Sequence, residues 1–133
     1  MTKRVLIALA VLFCGVQLLR ADQDSLFLTE PYLQNPMPNG VSIMWHTKQP
    51  AYGWVEYGKT DQLGAKADLI IDGIRNANTT LHKVRLTDLD PGATYYYRVC
   101  FKPIVKFEPY EKEFGDVAYS KTYTYKSIAT NLV

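Results

Sequence analysis

The sequence contains few of the residues that most often bind metals, with two histidines and two cysteines among its 133 residues. A site for two metal ions needs a cluster of carboxylate and imidazole ligands. His46 and His82 are far apart in the sequence, and no pair of carboxylates accompanies either of them. We therefore predict structural or surface roles for both histidines, and no catalytic residue, metal site or cofactor site in this chain.

The scarcity of cysteine also excludes an internal disulfide in the mature chain. Cys14 lies in an N-terminal apolar segment that we predict to be removed, which leaves Cys100 alone. We interpret Cys100 as a half-buried strand residue. The alternative is a disulfide to a segment outside this chain.

The N-terminal segment has the pattern of a secretory signal. Lys3 and Arg4 precede an apolar run from Val5 to Gly15, which is shorter than the roughly 20 apolar residues of a membrane-spanning helix. We predict a signal peptide over residues 1–21, with cleavage after Ala21, and a short linker over 22–27. An uncleaved anchor is the alternative. Either way, we expect an exported protein that is secreted, periplasmic or at the cell surface.

The mature chain lacks an excess of either charge. Removal of Lys3, Arg4 and Arg20 takes the 15 basic residues to 12, against 13 acidic residues, which is a net charge of −1. Nucleic acid is therefore not an expected partner, because such partners call for a basic surface.

No helical periodicity is present after the signal, and short alternating apolar runs separated by turn residues take its place. This pattern predicts an all-β, immunoglobulin- or fibronectin type III-like sandwich of seven antiparallel strands over residues 28–129. The predicted strands span residues 26–33, 41–47, 52–57, 69–71, 79–86, 95–101 and 119–128.

A turn that leads into a tyrosine-rich strand gives the most specific structural signal. Pro91 presets the backbone of the turn, and Gly92 accommodates a positive φ. Tyr95 follows at the spacing of a tyrosine corner, so its hydroxyl is expected to bond to backbone between residues 86 and 90. The residues that we assign to the core or to this corner are Trp45, Tyr57, Pro91, Gly92, Tyr95 and Tyr97.

The connection from Lys102 to Asp116 is longer than most hairpin loops. It carries five large apolar or aromatic residues, which a solvated loop would not need. We interpret it as a loop that packs on its own sandwich or on a neighbouring domain. The candidate interdomain residues are Ile104, Val105, Phe107, Tyr110 and Phe114.

Four motifs in order resemble the fibronectin type III-like N-terminal domain of purple acid phosphatases and related calcineurin-like metallophosphoesterases. The resemblance covers about residues 28–128, and the Val-Glu-Tyr-Gly run is its most specific part. The motifs are Pro31-Tyr32-Leu33-Gln34, Val41-Ser42-Ile43-Met44-Trp45, Val55-Glu56-Tyr57-Gly58, and Leu86-Thr87-Asp88-Leu89-Asp90-Pro91-Gly92 with Tyr95-Tyr96-Tyr97-Arg98-Val99.

The resemblance implies that the sandwich precedes a C-terminal metallophosphoesterase domain in cis, which would bind two metal ions. The motifs of that domain, Asp-x-His and Gly-Asn-His among them, are absent from this sequence. Residues 130–133 are then the start of a linker to a catalytic domain that this chain does not contain. The chain itself is predicted to be a non-catalytic accessory domain.

A second hypothesis follows from the number of aromatic residues. Alternation places Tyr52, Trp54 and Tyr96 on outward faces, where they could pack across strands or bind a partner. The alternative function is therefore a free-standing secreted binding module for a glycan or a protein.

Overall fold

All regular secondary structure in the described part of the chain is β-strand. The structure is a computed structural model that describes residues 26–129 except Asp72. The signal peptide, most of the linker over 22–27 and residues 130–133 lie outside the described residues. The strands are β1 (Phe27–Met37), β2 (Gly40–Gly58), β3 (Ala65–Asp68), β4 (Ile70–Ile71), β5 (Ile74–Arg75), β6 (Thr79–Leu86), β7 (Thr94–Glu108), β8 (Glu111–Phe114), β9 (Ala118–Tyr119) and β10 (Tyr123–Lys126).

The long strand β2 takes part in two sheet layers. Its first half pairs with β1 and β6, for example Ile43 with Val84. Its second half pairs with β3 and β7, for example Val55 with Val99. β9 and β10 then pair with the other edge of β7, and every pairing is antiparallel.

One hydrophobic core joins the two layers. Ile43 and Trp45 from the first half of β2 are completely buried together with Val55 and Val99 from the second layer. Inward residues alternate with outward ones along β6 and the first half of β7, as the period of two requires. The prediction of an all-β antiparallel fold of the sandwich type is confirmed.

The structure corrects three of the predicted elements. Residues 41–47 and 52–57 are parts of one continuous strand. Between them, Thr47 donates its hydroxyl proton to the carbonyl of Gln49 at 2.7 Å. The last predicted strand is divided into β9 and β10.

The third correction concerns the predicted loop from Lys102 to Asp116, which is mostly a β-hairpin. β7 continues to Glu108 and pairs with β8, in a register that runs from Ile104 opposite Phe114 to Glu108 opposite Glu111. Its backbone polar groups are therefore paired within the hairpin.

None of the residues that the structure describes belongs to a helix with the length and apolar character needed to cross a membrane.

Candidate functional site

The tyrosine corner has the geometry expected from its sequence. Tyr95 is 6% exposed, and its hydroxyl accepts a hydrogen bond from the backbone N–H of Asp90 at 2.7 Å. Gly92 has a φ of +68°, in the left-handed region that glycine adopts without strain. The corner therefore anchors the start of β7 to the turn that precedes it.

Ser127 completes this corner, and no motif or spacing in the sequence points to it. Its hydroxyl lies between the turn and β10, donating to the carbonyl of Asp90 and accepting from the N–H of Ala93 at 2.9 Å. Its own N–H donates to the carbonyl of Ala93 at 2.9 Å. The partners are more than 30 residues away along the chain, so local pattern could not predict them.

Trp45 and Tyr97 lie in the core, and Tyr57 packs against it from a partly buried position. Tyr123 and Tyr125 of β10 also pack against this core. Tyr97 stacks on Tyr123 with 5.4 Å between the ring centroids. Burial raises the pKa of Tyr97 to about 12. These contacts give structural roles to the aromatic residues of the core.

The Val-Glu-Tyr-Gly run has a separate contact for each of its positions. Val55 is buried, and Glu56 on the opposite face accepts hydrogen bonds from Arg98 at 2.6 and 3.0 Å. A β-carbon at Gly58 would lie 1.8 Å from the carbonyl oxygen of Leu63, so only glycine fits there. Packing, hydrogen bonding and close backbone approach therefore account for these positions of the motif.

His82 is fully buried and stacks on Trp45, with ring centroids 4.8 Å apart. Thr47 donates its hydroxyl proton to the carbonyl of Gln49, so its oxygen must accept the Nε2–H of His82 at 3.1 Å. His82 Nδ1 is then the unprotonated nitrogen, and it has no hydrogen-bond partner among the described residues. Burial lowers the pKa of His82 to about 4, which keeps the ring neutral at physiological pH.

His46 lies on the opposite face of β2, where its ring stacks on Tyr32 at 6.4 Å. It is partly exposed and belongs to a different environment from His82. Within residues 26–129, Asp72 excepted, no group of three or more His, Cys, Asp or Glu side chains could hold a metal ion.

Trp54 is not exposed, which corrects the expectation of an outward aromatic platform. It is 6% exposed because other side chains cover it on the outer face of the second layer. Lys66 Nζ lies 4.9 Å from the centroid of the Trp54 ring, and the ring centroids of Tyr52 and Trp54 are 5.2 Å apart. Its indole N–H donates to Glu56 at 3.1 Å. Tyr52 and Tyr96 are partly buried.

A network of charges holds this outer layer together. Burial alone would raise the pKa of the Glu56 carboxyl, but hydrogen bonds from Trp54 and Arg98 outweigh it, so its pKa lies below the ordinary value. Arg98 also lies 4.4 Å from the ring centroid of Tyr119. These contacts join the side chains on the outer face of the second layer to one another.

Cys100 lies within the same layer and is completely buried rather than half-buried. In the sheet it lies opposite Trp54 of β2 on one side and opposite Tyr119 of β9 on the other. Burial raises the pKa of the Cys100 thiol to about 12, so the reactive thiolate is not populated in the folded chain. A disulfide to an outside segment would require this layer to open.

The hairpin of β7 and β8 has one charged face and one mainly apolar face, which also carries Lys112 opposite Phe107. Lys106 forms ion pairs with Glu111 at 2.8 Å and with Glu108 at 3.9 Å. On the other face, Lys112 Nζ lies 5.0 Å from the centroid of the Phe107 ring. The ring centroids of Phe114 and Tyr52 are 6.3 Å apart. The hairpin is therefore amphipathic and is joined to the outer layer at its base.

The five candidate interdomain residues are distributed unevenly over this hairpin. Ile104 and Phe114, at its base, are partly buried. Val105 and Phe107 are 64% and 44% exposed, and Tyr110 at the turn is fully exposed. The exposed apolar residues therefore run along the β7 arm of the hairpin to its turn.

Comparison with known families agrees with this architecture. The model of the family described as "Purple acid Phosphatase, N-terminal domain" matches residues 30–127. The chain belongs to this family. The match spans most of the described strands, from β1 to β10, and confirms the resemblance seen in the four motifs. No curated protein sequence matches the chain.

Proposed function

We propose that this purple acid phosphatase N-terminal domain is a non-catalytic accessory domain of an exported metallophosphoesterase. Its role is to position or shield a catalytic domain that follows it in the same protein. Membership of an N-terminal domain family supports this order of domains. The side chains most often used in catalysis have structural partners here, as His82 has in Trp45 and Thr47.

The observation that carries the proposal is the exposed apolar surface of the hairpin. Val105, Phe107 and Tyr110 form an apolar surface on a hairpin whose backbone is already paired. An exposed apolar patch on a folded domain is typical of an interface. A hairpin fixed at its base by Phe114 and Tyr52 can present this patch without a large cost in conformational entropy.

The coding DNA that follows the codon for Val133 gives the most direct test. Continuation into Asp-x-His and Gly-Asn-His motifs supports the proposal, because these are the metal-binding motifs of the catalytic domain. An immediate stop codon would overturn it. The alternative, a secreted module that binds a glycan or a protein, would then depend on Phe107 and Tyr110, because Trp54 is covered.

Hydrogen exchange tests the interface itself. The amides of residues 104–114 should exchange more slowly in a protein that contains both domains than in this chain alone, because contacts raise the cost of local opening. Phe107→Ser should abolish the difference, whereas Lys121→Ser, an exposed control away from the hairpin, should leave it intact. Equal protection in both proteins would show that the hairpin is not the interface.

A further inference from the structure

An open cleft of about 510 Å³ runs along one face of β6, away from the hairpin. Thr79, Leu81, Lys83 and Arg85 line it from β6, and residues 68–70 line it from the end of β3 to the start of β4. Small-molecule sites commonly have volumes of about 300–1,000 Å³ and are mostly apolar, with a few polar groups that fix orientation. This cleft has both the size and the mixed character of such a site.

The apolar part of the cleft is accessible to a ligand. Leu69 is buried, while Ile70 and Leu81 are both exposed. The two exposed side chains belong to different segments that meet at the cleft. They offer an apolar surface to the body of a ligand.

The basic residues lie at a boundary between this cleft and a second one. Lys83 and Arg85 also line an open cleft of about 640 Å³, whose remaining walls are Ser42 and the end of β1 at residues 35–37. Since the two cations alternate with buried residues along β6, they share one face of the strand. Each can be approached from more than one side.

The guanidinium of Arg85 is held in place by its surroundings. Its Nη1 donates to the backbone carbonyl of Asn35 at 2.7 Å and to Ser42 Oγ at 3.2 Å. Asn35, near the end of β1, has a φ of 51°. A β-carbon at Gly40 would lie 2.6 Å from the carbonyl oxygen of Leu86 and 3.2 Å from Nη2, so only glycine lets β2 lie this close to both. These contacts leave the donors on Nε and Nη2 for a ligand.

The charge of this pair is not neutralised by a neighbouring carboxylate. Among the residues that the structure describes, neither Lys83 nor Arg85 forms an ion pair. Asp68, which also lines the cleft, is partnered by Lys66 at 3.9 Å and accepts the hydroxyl proton of Tyr52. The β6 wall of the cleft therefore carries a positive charge that an anion would complement.

We propose that this cleft binds a small amphiphilic oxyanion. Its aromatic or acyl body would pack on Ile70 and Leu81, and its phosphate, sulfate or carboxylate head would accept hydrogen bonds from Lys83 and Arg85. A hydrogen bond between a charged guanidinium and an oxyanion is stronger than a hydrogen bond between neutral groups. All the residues that line the cleft belong to this chain, so its binding can be tested without a catalytic domain.

The test is a titration of the full chain, followed by NMR or calorimetry, with four probes: 1-naphthyl phosphate, 1-naphthoate, 1-naphthol and inorganic phosphate. At least one of the two aryl anions should bind about tenfold more tightly than 1-naphthol and about tenfold more tightly than inorganic phosphate. Only the aryl anions have an aromatic body and an anionic head, so only they engage both parts of the cleft. The tighter of the two identifies the preferred head group. No binding, or equal binding of naphthol or phosphate, would overturn the proposal.

Variants locate the binding within the cleft. Lys83→Gln removes an exposed side chain that has no ion pair, and it should weaken binding of the aryl anion about tenfold. Leu81→Ser should weaken it by a similar factor through the apolar body. Lys126→Gln removes the same charge from an exposed position on β10, in the other layer, and should leave the affinity unchanged. An equal loss in Lys126→Gln would show that only overall charge matters.

Discussion

The α-carbon of Gly53 lies directly against the ring of His82, so that a β-carbon at position 53 would lie 2.5 Å from His82 Nδ1. The same β-carbon would lie 2.8 Å from Cζ2 of Trp45. Gly53 therefore allows β2 to pass over the buried pair of stacked rings. This close approach also explains why His82 Nδ1 has no room for a hydrogen-bond partner among the described residues.

Gly53→Ala should destabilise the fold by about 1–3 kcal/mol, because overpacking forces buried neighbours to move. Both neighbouring rings are completely buried and have no flexible end that could shift cheaply. Gly115→Ala is the matched control, since its nearest contacts would be at an ordinary 3.7 Å. Urea denaturation of the two variants measures the difference, and equal stabilities would contradict the close approach.

His82 should make the stability of the chain depend on pH. Its pKa is about 4 in the folded chain and 6.5 ordinarily, so the unfolded chain binds more protons between these values. The stabilisation is complete above pH 6.5 and is lost as the pH falls towards 4. The slope approaches about 1.4 kcal/mol per pH unit, and the total is about 3 kcal/mol.

Urea denaturation at several pH values between 7 and 4 measures this dependence. His82→Gln should flatten the slope in this window, even if it lowers stability throughout. His46→Gln should retain the slope, because His46 lies on the partly exposed face of β2. A slope that survives in His82→Gln would assign the dependence to another group.

Tyr95→Phe should cost about 1–3 kcal/mol, because it leaves the N–H of Asp90 without its acceptor at the corner. Tyr96→Phe is a control at the next residue, on the outward face of β7 and partly exposed. It should change stability by no more than about 0.5 kcal/mol, as is usual for such positions. Similar losses in the two variants would show that the Tyr95 hydroxyl makes no special contribution.

Cys100 should not react with a thiol reagent while the chain is folded. The measurement is the rate of labelling in a Cys14→Ser background, so that Cys100 is the thiol observed. Labelling should be slow in the native protein and rapid in guanidinium chloride, because unfolding restores both access and an ordinary thiol pKa. Rapid labelling of the native protein would indicate that the outer layer opens readily.

The purified chain should not hydrolyse a phosphomonoester or phosphodiester above background, with or without added zinc, iron or manganese. The described residues contain no cluster of metal ligands, and His82 is buried in a neutral form. Metal-dependent turnover that disappears in both His46→Ala and His82→Ala would contradict the proposed accessory role.

The sequence predicted those parts of the fold that depend on local pattern. Alternation along β6 and β7 identified the inward residues, and the Pro-Gly turn placed Tyr95 at its corner. The outer face of the second layer was not predictable in this way. Alternation placed Trp54 outward, but its burial depends on Lys66, which reaches it from another strand.

The same limit applies to the candidate sites. Val105, Phe107 and Tyr110 were recognised from composition, yet the pairing of β7 with β8 determines that they lie on a projecting hairpin. The basic cleft was missed because Lys83 and Ile70 are brought together by tertiary structure. Nothing in the spacing of these residues indicates that they share a cleft.

The continuity of β2 limits where the length of this domain can change during evolution. An extra residue in the bend at residues 48–50 would shift every later position of the strand by one. It would exchange the inward and outward faces of residues 51–58, which pair with both β3 and β7. The turn between Glu108 and Glu111 joins two strands that end there, so residues can be gained or lost at this tip without changing the register of the core. We therefore expect relatives of this domain to differ in length at the hairpin tip and to keep the bend of β2 constant.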